Sequence, residues 1–172
     1  MIRLVLGIDP GIAACGIALI EHDVQQPWRL KHVQTVRTKA VALLNDRMRE
    51  VYAAMKALLR EPVVRGTGGV VVACEEQTGV QEGKRRSGET SASATLVQQV
   101  VGMARAATFS AGLQFVEPTP AQVKAVLPGI PRTASKAQVQ RAVRAIVRDC
   151  PEVMSEHESD AIAVALAGAR MC

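Results

Sequence analysis

Aromatic side chains are scarce in this 172-residue chain: Trp28, Tyr52, Phe109 and Phe115 are all it has. A protein that holds single-stranded nucleic acid by stacking needs several such platforms, so charge and shape would have to carry most of any nucleic-acid affinity. There is no run of eighteen uncharged apolar residues, and no membrane span is expected. The N-terminus lacks the basic, apolar and small-residue regions of a secretory signal. The four cysteines (Cys15, Cys74, Cys150, Cys172) form no C-x-x-C pair, which argues against a zinc site and for free thiols in a reducing compartment. The expected location is the cytoplasm, with a nucleoid-associated, organellar or viral DNA compartment left open. No internal repeat or long linker divides the chain, so residues 1–172 are read as one domain. At 48% apolar residues it has material for a full core. The net charge of +5 is compatible with a polyanionic partner without establishing one.

What is present begins with two apolar, β-prone runs, Ile2 to Asp9 and Cys15 to Ile20, around a turn on Pro10 and Gly11. They read as a hairpin of buried strands. Asp9 ends the first run, where a carboxylate has no packing purpose and costs several kcal/mol unless a cation or hydrogen bonds compensate it. Taken alone it could equally cap the turn as an Asx residue. Arg29 to Arg37 alternates as a half-exposed strand, and the spacing of Met48, Val51, Met55, Leu58 and Leu59 predicts a helix from about Ala40 to Leu59. Val70 to Cys74 is a β-branched run expected to be a central strand covered on both faces. A polar stretch from Gln77 leads into a helix from about Thr90 to Ala111. A short strand at Gln114 to Glu117, a brief helix from Pro120 to Val126, a helix from Ser135 to Arg148 and a last helix from Ser155 to Arg170 complete the order. Strands and helices in this sequence indicate an α/β fold with a mixed sheet.

Three places concentrate acid. Asp9 and Glu75 each end an apolar strand. Ser155-Glu156-His157-Glu158-Ser159-Asp160 opens the final helix, and Ser155 with Glu158 fits a capping box that starts the helix there. His157 and Asp160 are then three apart and share a face, while Ala161 to Ala167 is apolar nearly all round. If Asp9, Glu75 and Asp160 converge with His157 beside them, they need a cation. Two carboxylates ~4 Å apart repel by about 4 kcal/mol at an effective dielectric of ~20. Hard oxygen donors select Mg²⁺ or Mn²⁺, and such ions serve the attack of water on a phosphodiester. Otherwise Asp160 and His157 are helix-start residues and Glu75 belongs to a loop.

These residues resemble a known family. Leu6-Gly7-Ile8-Asp9-Pro10-Gly11 with Gly16, Ala73-Cys74-Glu75-Glu76, Pro120 to Lys124, Ser135 to Gln140 and His157 to Ala165 occur in the order found in RuvC-type Holliday junction resolvases, and the likeness spans nearly the whole chain. The resemblance implies an RNase H-like fold, a mixed five-stranded sheet with helices on both faces, and a homodimer. It implies Mg²⁺-dependent endonuclease cutting of four-way junction DNA by paired symmetric nicks, in recombination and repair, with Mn²⁺ able to substitute. Asp9, Glu75, His157 and Asp160 match the family's catalytic, metal-binding positions, the His157 position being Asp in some members. Glu76 is an alternative to Glu75 one place later. Lys124 and Lys136 match basic positions that contact DNA. Branch-migration machinery is a partner the resemblance leaves open. The stretch after Glu75 departs from the bacterial enzymes: it is longer, carries Lys84-Arg85-Arg86 and has no aromatic between Gln77 and Val80.

Arg141, Arg144 and Arg148 recur at three and four along the predicted Ser135 helix, a basic stripe suited to phosphates or simply a solvated face. Lys84, Arg85 and Arg86 offer a DNA clamp or a solubilising loop. Leu96, Val97, Val100, Val101, Met103 and Ala104 give their helix more apolar surface than one sheet contact needs, which a symmetric dimer would bury, as would ordinary core packing. The competing readings are another RNase H-like nuclease acting on branched DNA or RNA–DNA hybrid, a non-catalytic junction-binding subunit, and a nucleotide-binding module of the actin and sugar-kinase type. The last needs two such domains.

Overall fold

The computed structural model describes residues 2–23, 27–61, 69–77, 91–131 and 133–172. Ile2–Asp9 (β1) and Ala14–Asp23 (β2) form the antiparallel hairpin, and Trp28–Arg37 (β3) extends it from β2. Val70–Cys74 (β4) pairs in parallel with the other side of β1, and Gln114–Val116 (β5) in parallel with β4. The helices are α1 Leu44–Arg60, α2 Ser91–Ser110, α3 Pro120–Ala125, α4 Lys136–Ile146 and α5 Glu156–Ala169.

Among the described residues the sheet has six strands rather than the expected five, in the order β5-β4-β1-β2-β3-β6. The sixth, Val147–Arg148 (β6), pairs in parallel with Trp28 and Arg29, where the sequence pattern had continued a helix. Helix α4 ends because Val147 takes extended angles (φ −107°, ψ 122°) and buries its β-branched side chain beside β3. Arg148 therefore leaves the predicted helical stripe. At the other end of the chain, α1 starts at Leu44 rather than Ala40, because Lys39 to Ala42 close a turn first.

Alternation along the strands divides the core into two layers. Val5, Ala18, Ile20, Leu30, Val71 and Ala73 face α3, α4 and α5. Leu4, Leu6, Ile8, Ile17, Val72 and Cys74 face α1 and α2. Val100, Val101 and Ala104 of α2 are spent on this second layer, leaving Leu96, Val97 and Met103 half-buried. The four cysteines are free, and burial pushes the Cys15 thiol up to about 12.

Helix α5 is buried at every position from Ala161 to Ala169 and lies directly on β1, β2 and β4. Glycine allows that approach. A Cβ at Gly16 would stand 1.9 Å from the His157 carbonyl oxygen, and one at Gly7 2.1 Å from that of Ala161. Thr35 of β3 adds a polar tie, its hydroxyl 2.6 Å from Ser155 Oγ. Ser155 accepts from the Glu158 N–H and Glu158 accepts from the Ser155 N–H, the expected capping box.

Candidate active site

The carboxyl ends of parallel strands are where open α/β sheets build sites, and β1 and β4 end side by side. Asp9 is the last residue of β1 and shares its face with Gly7, under α5. Glu75 continues β4, its N–H donating to the Ile8 carbonyl (3.2 Å), while the Glu76 N–H donates away to Pro118 (2.9 Å). Ala73 faces α5 and Cys74 faces α1 and α2, so alternation sends Glu75 toward α5 and Glu76 away from it. Of the two acids, Glu75 is the one on which the charges of Asp9 and Asp160 act.

The first turn of α5 supplies the other groups. His157 Nδ1 lies 2.8 Å from Asp9 Oδ2. With Asp9 ionised, Nδ1 carries the proton and donates, leaving the Nε2 lone pair free to ligate. Asp160 Oδ2 accepts from Lys136 Nζ at 3.1 Å, and Lys136 also reaches Glu156 at 3.5 Å. Lys136 is the first residue of α4, held there by the Ser135–Gln138 capping box.

Burial pushes the Glu75 carboxyl up to about 7, helped by the negative charges of Asp9 and Asp160 and opposed by Lys136 and Lys124. Burial also raises Asp9, with the His157 hydrogen bond pulling down and Asp160 pushing up. Partial burial lowers the Lys136 ammonium, but Asp160 and Glu156 outweigh it and hold it above the usual lysine range. Two carboxylates that resist ionising, with a third acid close enough to act on both, are groups that a hard divalent cation would relieve. Among the described residues no three acidic, histidine or cysteine side chains stand close enough together, as placed, to hold a metal ion. Asp9 Oδ2 is engaged by the His157 imidazole and Asp160 Oδ2 by the Lys136 ammonium.

Of the predicted DNA contacts, Lys136 is inside the site and Lys124, on α3, is close enough to act on Glu75. Arg141 and Arg144 are exposed on α4, and Arg148 lies on β6 in register with Arg29, which pairs with Asp149 (3.0 Å). Lys84, Arg85 and Arg86 lie outside the described residues. The sequence reading gave no role to Thr35, whose partner lies 120 positions away.

The family model described as "Crossover junction endodeoxyribonuclease RuvC" matches residues 5–168. The protein of that name from Syntrophotalea carbinolica is 33% identical over 164 residues, 94% of this chain and 91% of its own. That from Trichlorobacter lovleyi is 35% identical over 164 residues, covering 94% and 82%. Thermus thermophilus RuvC, solved in complex with a Holliday junction substrate, matches with a TM-score of 0.78 at 29% identity, over 97% of this chain and 93% of that one. The yeast mitochondrial Holliday junction resolvase, at 13% identity and a TM-score of 0.60 over 96% of this chain and 77% of its own, shares the fold. With a match running from residue 5 to residue 168 and relatives a third identical along most of their length, this chain belongs to the RuvC family.

Proposed function

We propose that this chain is a structure-selective endodeoxyribonuclease that resolves four-way DNA junctions with paired symmetric nicks, working as one domain per subunit of a homodimer and requiring Mg²⁺. The observation that carries the reading is the gathering of Asp9, Glu75 and Asp160 with His157 at one end of the sheet, where burial and mutual repulsion raise the carboxyls of Asp9 and Glu75. Asp9, Glu75, Asp160 and His157 Nε2 would hold the ion. When bound, Mg²⁺ supplies a water of lowered pKa and offsets charge on the phosphate.

The chain's own groups have separate tasks. His157 Nδ1–H fixes the orientation of Asp9 through their hydrogen bond. Glu75, raised to about 7 by burial and the charges of Asp9 and Asp160 in the metal-free protein, would present an ionised carboxylate to the ion once it binds. Lys136 Nζ steadies Asp160 and offers its remaining N–H donors toward a phosphate oxygen. Lys124 adds positive charge on the α3 side, and exposed Arg141 and Arg144 extend it along α4 as phosphate contacts for a DNA arm. The presence of every acidic group argues against a non-catalytic subunit.

The test is cleavage of a labelled, immobile four-way junction beside linear duplex and RNA–DNA hybrid of matched arms, with Mg²⁺, Mn²⁺ or chelator. Paired, metal-dependent nicks in the junction alone are expected, and Asp9→Asn should abolish them while junction binding persists. Cutting of the hybrid or of single arms would move the protein to another RNase H-like activity, and binding without cutting would make it a non-catalytic subunit.

A further inference from the structure

The turn leading into α1 is built from residues that solvent-facing turns rarely use. Val41 is 95% exposed, Leu43 75% and Leu44 41%. Val41 lies in a turn closed by the Ala42 N–H donating to the Lys39 carbonyl (3.0 Å). Leu43 occupies the N-cap position of α1, where no side chain accepts from the first-turn amides. Leucine is among the poorest N-caps, and Asn45 and Asp46 stand too far along to serve. Single exposed apolar residues are ordinary. Three together at a tip, at the expense of a helix cap, call for a purpose.

The tip is tied to the segment that follows Asp9. The Thr38 N–H donates to Ala13 (3.1 Å), Thr38 Oγ1 donates to the Ile12 carbonyl (2.6 Å), and Arg47 Nε donates to Thr38 Oγ1 (2.9 Å). It therefore stands at the same end of the sheet as the carboxylates. Basic residues surround it: Arg37 and Lys39 are exposed on one side, and Arg47 and Arg49 follow on the other. The nearest acid, Asp46, is paired with Arg49 (3.2 Å). An apolar point inside a cationic collar matches a partner with an anionic outside and an apolar inside, and aliphatic side chains do enter opened base steps.

We propose that Val41 and Leu43 form a wedge that enters the branch point of bound DNA and holds its bases unstacked, with Arg37, Lys39 and Arg47 on the flanking phosphates. This rests on the junction-nuclease reading above and adds how that nuclease opens its substrate.

Leu43→Asn and Val41→Gln test it on full-length protein, using junctions with 2-aminopurine beside the branch point. Wild-type binding in chelator should raise the fluorescence, and each variant should cut that rise by half or more. Leu43→Asn restores a capping side chain, so its Tm should rise by a few degrees while cleavage of a fully paired junction falls by about tenfold, well within the cost of unstacking one base step. A junction mismatched at its centre, already open, should be cut within about twofold of wild type. An unchanged fluorescence rise, or an equal cleavage loss on both junctions, would overturn the wedge. So would a drop in sedimentation to a smaller species, which would make the tip an interface between copies. Failure of the wild type to cut any junction would remove the nuclease reading itself; wild-type cutting with indifferent variants removes the wedge alone.

Discussion

Adding one methyl group at Gly16 should disable this protein while leaving it folded. The Cβ of Gly16→Ala would sit 1.9 Å from the His157 carbonyl oxygen, 2.6 Å from its carbonyl carbon and 3.2 Å from Ala161 Cβ. Real Cβ atoms keep outside 3.0 Å and ordinarily outside 3.4 Å, so the first turn of α5 must retreat by about 1.1–1.5 Å. That retreat would stretch the His157–Asp9 hydrogen bond from 2.8 Å to beyond hydrogen-bonding reach. Overpacking of this kind costs about 1–3 kcal/mol, short of unfolding an ordinary domain. Misplacement of reacting groups by about 1 Å costs roughly 100-fold in rate. A thermal melt, a Mn²⁺ titration and junction cleavage measured beside junction binding would separate the two effects. The expected result is a lower Tm, weakened metal binding, cleavage down about 100-fold and binding within about threefold, because the exposed basic residues of α4 do not move. Gly102→Ala, which puts the same methyl into open space on α2, should be harmless. Wild-type cleavage by Gly16→Ala would refute the claim that this glycine sets the position of α5.

Thr35→Val removes the tie between β3 and the Ser155 cap; about 1 kcal/mol of stability should go with it, and Thr35→Ser should keep most of it, as read by thermal melts. In metal-free protein the folded state holds a proton on Glu75 up to about pH 7, whereas the unfolded chain releases it near the ordinary 4.5. The fold then binds more protons across that window, so the Glu75 contribution makes stability fall as pH rises from about 4.5 to about 7. Melts in chelator should show this fall, Glu75→Gln should lack it, and Mg²⁺ should stabilise more at pH 8 than at pH 5; a stability that climbs through the window in the wild type alone would contradict the assignment. Lys136→Ala should leave Tm almost unchanged, because the ammonium is largely exposed, but should slow cleavage by roughly 10-fold or more through loss of a charge-assisted bond at Asp160. An unchanged single-turnover rate would take Lys136 out of the site.

The hairpin around Pro10 and Gly11, the doubly covered run Val70 to Cys74 and the capping box at Ser155 were legible in the sequence. Each depends on chemistry within a few residues: period, β-branching, or a hydroxyl and a carboxylate three apart. Asp9, Glu75 and Asp160 stood out because each is an acid attached to an apolar segment that must be buried. The start of α1 was less legible, since the turn at Lys39 to Ala42 carries no proline, glycine or capping side chain to announce it. Strand β6 was illegible, because two residues become a strand only when Trp28 and Arg29 lie across from them, and Arg148 meanwhile kept a helical spacing from Arg144.

What the sequence determined by itself, then, was most of the local elements, a central strand covered on both faces and the presence of acids that want a cation. The tertiary structure alone decided which acids meet. Glu75 rather than Glu76 is turned toward Asp9 through the phase of β4 against β1, and His157 reaches Asp9 across 148 positions of chain because α5 crosses two strands at the glycines that let backbones touch. Strand register and close backbone approach are relations between distant segments, and no local pattern carries them.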